Sequence, residues 1–359
     1  MADSKQAPLD AEAAAKAAVA SVQNQPFPND IFTAPELRWA VIGCGVIANQ
    51  MAQSLALAGR KLAGVANRTL SKAQAFAEQY GVEKVYETVE DLYADPDIDA
   101  VYITTPHNTH ITYLRAALAA GKHVLCEKAI TLNSAELDEA RAIADEHNVV
   151  LMDATTVLHM PLYQELRRRM DAGDFGRMNL AQLNFGSYKE YGDLTNRFYN
   201  RSLAGGAMLD IGVYALSVMR LFMASQPAEV LSLGNTCETG VDVAGGIVCR
   251  NAEQQLGVVS LTLHSKQPKR SVISFDKCYI EVNEYPRADH ATIVWTADGH
   301  REEVHAGTEA YALCYEMADL EKAVAGDDSK RELLGYASDV MELMTKLRAD
   351  WGVVYPEEE

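Results

Sequence analysis

Residues 37–59 read LRWAVIGCGVIANQMAQSLALAG and indicate the fold class of the first part of the chain. Its first part is an apolar run with Trp, Val and Ile, which is typical of a buried strand. Two glycines follow, and apolar side chains then recur at helical spacing as far as Gly59. The stretch therefore predicts a strand, a tight turn and a helix.

The same alternation continues to about residue 156. Short apolar runs are separated by longer segments of helical period; the predicted strands are LRWAVIG, KLAGVAN, KVYE, DAVYITT, KHVLCEK and VVLMDAT. Because most of these runs lack alternating polar residues, their strands are expected to be buried on both faces of a parallel sheet. We predict an α/β protein with an N-terminal Rossmann-type, doubly wound parallel sheet.

After about residue 156 the pattern changes. Strand-like runs follow one another closely, mostly without helices between them, and helical period returns only from about residue 308. This predicts a C-terminal α+β domain with a large, mostly antiparallel sheet. We expect three parts. Residues 1–36 form an Ala-rich arm that could reach a neighbouring subunit, and residues 37–156 form the Rossmann domain. Residues 157–359 form the substrate-binding and dimerisation domain.

Composition excludes several kinds of partner. The 359 residues include 50 acidic and 32 basic side chains, a formal charge of -18 that repels nucleic acid and anionic membrane surfaces. The N-terminus lacks the basic start of an export signal, so we expect a cytoplasmic protein. The six cysteines are scattered without ligand spacing, which indicates free thiols and no metal site.

The turn after the first strand has a chemical meaning. Gly43, Gly45 and Ala48 follow the G-x-G-x-x-G/A pattern, in which backbone and helix N-terminus bind a pyrophosphate. Glycines also occur at ordinary strand-to-helix turns, but the repeated βαβ pattern downstream favours a dinucleotide site. Val46 and Ile47, in the first turn of this helix, belong to the predicted site.

The end of the second strand indicates which dinucleotide is bound. An NAD site usually has an acid about 20 residues beyond the glycines. This chain has Asn67 and Arg68 there, followed by Lys72. A 2′-phosphate fits these side chains better than a hydroxyl, so we predict NADP, with NAD possible; the alternative is that both cations only lie on a solvated face.

Two further strand ends should border the cofactor crevice. The fourth strand ends in TTPHNTH, which supplies candidate cofactor contacts at Thr104, Thr105, Pro106, His107, Asn108 and His110. The fifth strand ends in Glu127 and Lys128. Strands also end in charges simply to return to water, so this pair alone decides nothing.

A second constellation, GGAMLDIGVYAL, begins at Gly205. Asp210 and Tyr214 are four residues apart and share a face if the segment is helical. Such a pair by itself is usually a surface hydrogen bond. Arg197, Phe198 and Tyr199, shortly before it, are candidate substrate-lining residues.

The three motifs GCGVIA, CEK and GGAMLDIGVY, in this order, resemble the Gfo/Idh/MocA oxidoreductases, and in particular the branch with dimeric dihydrodiol dehydrogenase, glucose-fructose oxidoreductase and NADP-dependent xylose dehydrogenase. The resemblance covers about nine tenths of the chain. It implies that Lys128 is catalytic together with Asp210 and Tyr214. Ala129 stands where the family commonly has Pro, and Ala207 where a third Gly is common.

The resemblance implies an enzyme that transfers a hydride between NADP and a carbinol carbon of a sugar, polyol, inositol or related vicinal diol. Tyr214 would exchange the proton and Lys128 would polarise the substrate oxygen. Asp210 would orient the substrate hydroxyl and the lysine, while Glu127 would bind the nicotinamide ribose. Alternatives are an NAD-dependent glycosidase that retains its cofactor and a non-catalytic NADP-binding sensor. A homodimer, or a dimer of dimers, is expected.

Overall fold

The structure is a computed structural model and describes residues 19–23 and 25–359. It divides into two compact units. Among the described residues, unit 1 contains those up to Thr131 together with Ala135–Ala154 and Ala310–Gly335, and unit 2 contains Leu132–Ser134, Thr155–Glu309 and Tyr336–Glu359.

Unit 1 contains a parallel sheet. Its strands are β1 Trp39–Ile42, β2 Gly64–Ala66, β3 Lys84–Tyr86, β4 Ala100–Ile103, β5 His123–Cys126 and β6 Leu151–Asp153. Their order is β3-β2-β1-β4-β5-β6, with every neighbouring pair parallel. Chain order reverses between β1 and β4, and ligands of such sheets bind beside the carboxyl ends of the strands at this point.

Helices connect these strands and cover the sheet. They are α1 Val46–Leu57, α2 Leu70–Tyr80, α3 Val89–Ala94, α4 His110–Ala119 and α5 Ser134–Glu146. Apolar side chains of α1, including Met51 and Leu55, pack in one core with Val41, Tyr102 and Leu125 of the sheet. The predicted doubly wound fold is confirmed.

Unit 2 contains the second sheet, which is mostly antiparallel as predicted. Its strands are β7 Met178–Gly186, β8 Glu229–Thr236, β9 Asp242–Arg250, β10 Leu256–Thr262, β11 Gln267–Phe275, β12 Cys278–Asn283, β13 His290–Trp295 and β14 Arg301–His305. Their order is β14-β13-β12-β11-β7-β10-β9-β8, and only the β7–β10 pair is parallel among the described strands. Two helices of this unit are α6 Pro161–Asp171 and α7 Val213–Phe222.

The last helices are α8 Ala312–Val324, α9 Asp328–Arg331 and α10 Leu333–Asp350. We predicted α8 as part of the second domain, but residues 310–335 belong to unit 1. Leu313, Met317 and Leu320 of α8 are buried in the core of the parallel sheet. Glu321 accepts a hydrogen bond from Trp39 Nε1 at 3.0 Å, so packing rather than chain order assigns this helix.

Part of the predicted arm lies within the described residues, while residues 1–18 and 24 lie outside them. Ile31 is 4% exposed, and the Phe27 ring packs against the edge of Tyr311, with centroids 4.9 Å apart. Arg60 lies over the Phe32 ring at 4.0 Å. Residues 27–32 are therefore a packed part of unit 1.

By length and composition alone, one helical stretch of the described residues, Arg201–Phe222, could cross a membrane. Its most apolar window is 83% buried inside the protein. This is the burial expected of a core helix.

Candidate active site

The glycine loop follows β1 and leads into α1. Gly43 has φ +103, and a Cβ there would lie 2.7 Å from Thr104 Oγ1, so only glycine fits. Its amide donates to Ala66 O at 2.9 Å, which fixes the turn against β2. Ala48 is fully buried, as expected of the small residue that seats the helix on the sheet.

The first turn of α1 is open to a ligand. Gly45 is the N-cap residue and provides no side-chain cap, and a Cβ built on it would meet nothing within 4 Å. Val46 is 64% exposed. Uncapped amides at the N-terminus of a 12-residue helix are hydrogen-bond donors for an anion, so this cradle fits a dinucleotide pyrophosphate.

Three side chains follow β2. The amide group of Asn67 donates to Thr69 O at 3.0 Å, which shapes the turn. Arg68 and Lys72 are exposed, and neither has an ion-pair partner among residues 19–23 and 25–359. Burial raises the pKa of the Cys44 thiol to about 11, and the nearby Lys72 ammonium opposes this shift, which places Lys72 beside the glycine loop.

The segment after β4 is held by its own hydroxyl groups. The Thr104 hydroxyl donates to Ile42 O at 3.0 Å, next to the glycine turn. The Thr109 hydroxyl contacts Thr105 Oγ1 at 2.8 Å and donates to Pro106 O at 2.7 Å. Pro106 is exposed, and His107 and Asn108 are half-buried in a short 3-10 turn. The predicted cofactor contacts at 104–108 therefore lie at the carboxyl edge of the sheet.

His110 does not fit its predicted role. It is fully buried, with Nε2 2.7 Å from Thr105 O and Nδ1 3.0 Å from Ala129 O. Burial lowers its pKa, and a neutral imidazole carries one N–H, so one carbonyl receives a hydrogen bond. Since both nitrogens face backbone, we withdraw His110 as a cofactor ligand; it braces the segment that contains Lys128.

Glu127 and Lys128 follow β5. Glu127 is 9% exposed; its amide donates to Ile103 O at 3.0 Å, and its carboxylate accepts a hydrogen bond from the Tyr102 hydroxyl. Lys128 is half-buried, and the peptide bond between Lys128 and the fully buried Ala129 is cis. Residue 129 is the Ala that stands where the family commonly has Pro.

In unit 2, Asp210 and Tyr214 lie on successive turns of one helical segment. Asp210 is 8% exposed and belongs to a π-helical turn, Met208–Gly212, which continues into α7. The sequence predicted ordinary helical spacing, whereas a π turn closes i→i+5 bonds and is frequent at functional sites. Tyr214, in the first turn of α7, is half-buried, with its ring centroid 6.1 Å from that of Phe185.

The three predicted substrate-lining residues have different surroundings. Arg197 is exposed, with Nη2 3.5 Å from Asp210 Oδ1, and its guanidinium lies 4.1 Å from the Phe198 ring centroid. Lys189 Nζ lies 4.2 Å from the same centroid. Tyr199 is fully buried and donates its hydroxyl to Lys189 O at 2.9 Å, so its predicted substrate contact is corrected to a packing role.

Comparison with known proteins identifies the family. A model described as "Oxidoreductase family, NAD-binding Rossmann fold" matches residues 37–155, and the GFO/IDH/MocA C-terminal domain matches residues 163–281. A trans-1,2-dihydrobenzene-1,2-diol dehydrogenase of Xenopus tropicalis is 31% identical over 251 residues, which cover 68% of this chain and 74% of the relative.

The chain belongs to the Gfo/Idh/MocA family. It is therefore an oxidoreductase, and unit 1 contains its NAD-binding Rossmann fold. The dihydrodiol dehydrogenase of Sus scrofa is 28% identical over 340 residues, covering 90% of this chain and 99% of that protein.

Solved structures share the fold of this Gfo/Idh/MocA protein. Levoglucosan dehydrogenase, in complex with NADH and L-sorbose, has a TM-score of 0.76 at 20% identity and covers 87% of this chain and 97% of its own. A 3-ketoreductase from Actinomadura kijaniata, in complex with NADP and TDP-benzene, has a TM-score of 0.74 at 24% identity over 88% of this chain and 98% of its own.

Proposed function

We propose that this Gfo/Idh/MocA protein is an NADP-preferring dehydrogenase or reductase that acts on a CH–OH group of a sugar, polyol or vicinal diol. The observation that carries the proposal is the placement of Lys128 directly after β5, at the carboxyl edge of the NAD-binding sheet. The dihydrodiol dehydrogenases among its relatives support a diol substrate.

The cofactor preference rests on the residues after β2. Arg68 and Lys72 are exposed cations without ion-pair partners in the described part of the chain, and Lys72 lies beside the glycine loop. A 2′-phosphate would supply the missing anion, whereas a ribose hydroxyl would not. The bound cofactor would supply a hydride acceptor in its oxidised form, NADP⁺, or a hydride donor in its reduced form, NADPH.

The proposed roles of the residues follow from this reaction. Oxidation of a CH–OH group removes a hydride from carbon and a proton from oxygen, so the site needs a proton acceptor and a group that stabilises charge on that oxygen. We assign proton exchange to Tyr214 and polarisation of the substrate oxygen to Lys128. Asp210 orients the substrate hydroxyl, and Glu127 binds the nicotinamide ribose.

Arg197, which belongs to unit 2, is the proposed specificity residue. Its exposed guanidinium lies beside Asp210 and over the Phe198 ring, which places a charge and an aromatic edge next to a proposed substrate-orienting carboxylate. Hydroxyl groups of a diol can form hydrogen bonds with the charged pair of Arg197 and Asp210, while the apolar part of the substrate packs on Phe198. The residues proposed to take part in the reaction are therefore Glu127, Lys128, Arg197, Phe198, Asp210 and Tyr214.

The experiment that tests the function follows reduced-nicotinamide absorbance with NADP and NAD separately, over a panel of sugars, polyols and trans-diols. We expect turnover with at least one substrate and a preference for NADP. Lys128→Ala and Tyr214→Phe should each remove most of that turnover, whereas Lys346→Ala and Tyr279→Phe, which change exposed positions, should not. A retained cofactor that shows no net reduction while substrate is converted would favour the glycosidase. Binding of the cofactor without any turnover would favour the sensor.

A further inference from the structure

We propose that Asp242 is a positioning residue for the helical segment that carries Asp210 and Tyr214; this inference rests on the proposed function. Asp242 is the first residue of β9 and is fully buried. Its Oδ2 accepts a hydrogen bond from the Met208 amide at 2.6 Å. Met208 begins the π turn that contains Asp210, so the carboxylate holds the start of that turn.

The glycine pair of the motif allows this carboxylate to approach. Gly206 has φ +130, and a Cβ there would overlap Asp242 Oδ1 and lie 3.4 Å from the Tyr355 hydroxyl. The Asp210 amide in turn donates to Gly206 O at 3.3 Å. The turn before Asp210 is thus built around Asp242, and a side chain at residue 206 would displace one or the other.

The C-terminal segment supplies a second tie to the same turn. The Tyr355 hydroxyl donates to Gly205 O at 2.7 Å. The buried Arg348 guanidinium lies 4.6 Å from the Tyr355 ring centroid and forms an ion pair with Glu358 at 2.8 Å. Residues 205 and 208 are therefore fixed from two directions, by β9 and by the end of the chain.

Stability alone does not explain a carboxylate at this position. Burial raises the pKa of Asp242 to about 6, although the Met208 and Ala207 amides and the Arg348 charge lower it. A raised pKa means that the neutral form is favoured more strongly in the folded protein than in the unfolded chain. The charged form of Asp242 therefore lowers the stability of the folded protein. Its Oδ1 has no hydrogen-bond partner in the described part of the chain. An asparagine could satisfy the Met208 amide without the charge, which points to a functional reason for Asp242.

The test compares Asp242→Asn with wild type at pH 7.5. We expect kcat to fall at least tenfold, the Kd for NADP to stay within twofold, and the midpoint of thermal unfolding to be unchanged or raised. Hydrogen exchange of a peptide covering residues 205–214 should be faster in the variant. Asn251→Ala, which removes another buried polar side chain of unit 2, should lower the unfolding midpoint and leave kcat within twofold.

The inference is overturned if kcat and the hydrogen exchange of residues 205–214 are both unchanged in Asp242→Asn. It is also overturned if kcat falls and the unfolding midpoint falls with it. If Asp242→Asn does not fold, Tyr355→Phe decides, because it removes only the hydroxyl that bonds to Gly205 O: kcat should fall at constant Kd for NADP, and an unchanged kcat contradicts the proposal. Absence of turnover in wild type would refute the proposed function instead, and the exchange measurement would still test the tie to Asp242.

Discussion

The Nδ1 atom of His110 lies 3.0 Å from the carbonyl oxygen of Ala129, the residue directly after Lys128. The other ring nitrogen lies 2.7 Å from Thr105 O. One buried imidazole thus links the segment after β4 to the segment that presents the proposed catalytic lysine, and its removal should disturb both.

We expect His110→Ala to lower kcat by about 10- to 100-fold, because small misplacements of a reacting group have effects of this size. Steady-state kinetics and a direct NADP titration would separate the two segments. The matched control is His123→Ala, a half-buried histidine at the other end of β5 whose Nδ1 accepts a hydrogen bond from the Val150 amide. Equal kcat values for both variants would refute a specific role of His110.

Arg68 and Lys72 should determine the choice of cofactor. We expect Arg68→Ala and Lys72→Ala each to raise the KM for NADP by about 10- to 100-fold, as each removes a charge-assisted contact worth about 1.5–3 kcal/mol. The KM for NAD should change little, because NAD has no 2′-phosphate. Arg177→Ala, which alters an exposed cation of unit 2, is the control. Parallel losses for NADP and NAD would contradict this assignment.

The pKa of Asp242 predicts how stability depends on pH. Its folded value of about 6 exceeds the ordinary value of 3.8, so between these pH values the folded state holds a proton that the unfolded state has lost. The unfolding free energy of wild type should therefore fall, relative to Asp242→Asn, as pH rises from 4 to 6.5, by at most about 3 kcal/mol. Urea unfolding at both pH values measures this difference, and a difference of opposite sign would refute the raised pKa.

The open face of the second sheet predicts self-association. Leu231 and Leu233 of β8 are 76% and 84% exposed, and Leu231 pairs in register with Val248, which is 44% exposed. Such an apolar face favours pairing with a second copy, as proposed from the sequence. We expect light scattering to show a dimer that the double variant Leu231→Asp, Leu233→Asp converts to monomer. Ala297→Asp adds charge at an exposed position and should leave the mass unchanged; a wild-type monomer would contradict the proposal.

Much of the fold could be predicted because its signals are local. The strand, the glycine turn and the helix at 37–59 each depend on neighbouring residues, and the structure has β1, Gly43 and α1 where the sequence indicated. The sequence does not indicate strand β14, Arg301–His305, because it is a charged edge strand and edge strands need no apolar alternation.

The missed parts of the site depend on contacts that are distant in sequence. Asp242 accepts a hydrogen bond from the Met208 amide, which lies 34 residues away in sequence. Tyr355 donates a hydrogen bond to Gly205 O, which lies 150 residues away. A glycine pair such as Gly205 and Gly206 permits the close approach of another group, but the sequence does not show which group approaches. His110 and Tyr199 have side chains typical of binding sites, and only their burial shows that they pack against backbone.

The proposed reaction is hydride transfer to NADP that requires Lys128 and Tyr214. Its most direct test uses a diol that is a substrate, deuterated at the reacting carbinol carbon, in a single turnover with NADP, followed by mass spectrometry of the nicotinamide. We expect deuterium in the reduced cofactor with wild type and a rate lowered by at least about 100-fold in Lys128→Ala. Reduced cofactor without deuterium, or undiminished transfer in Lys128→Ala, would contradict it.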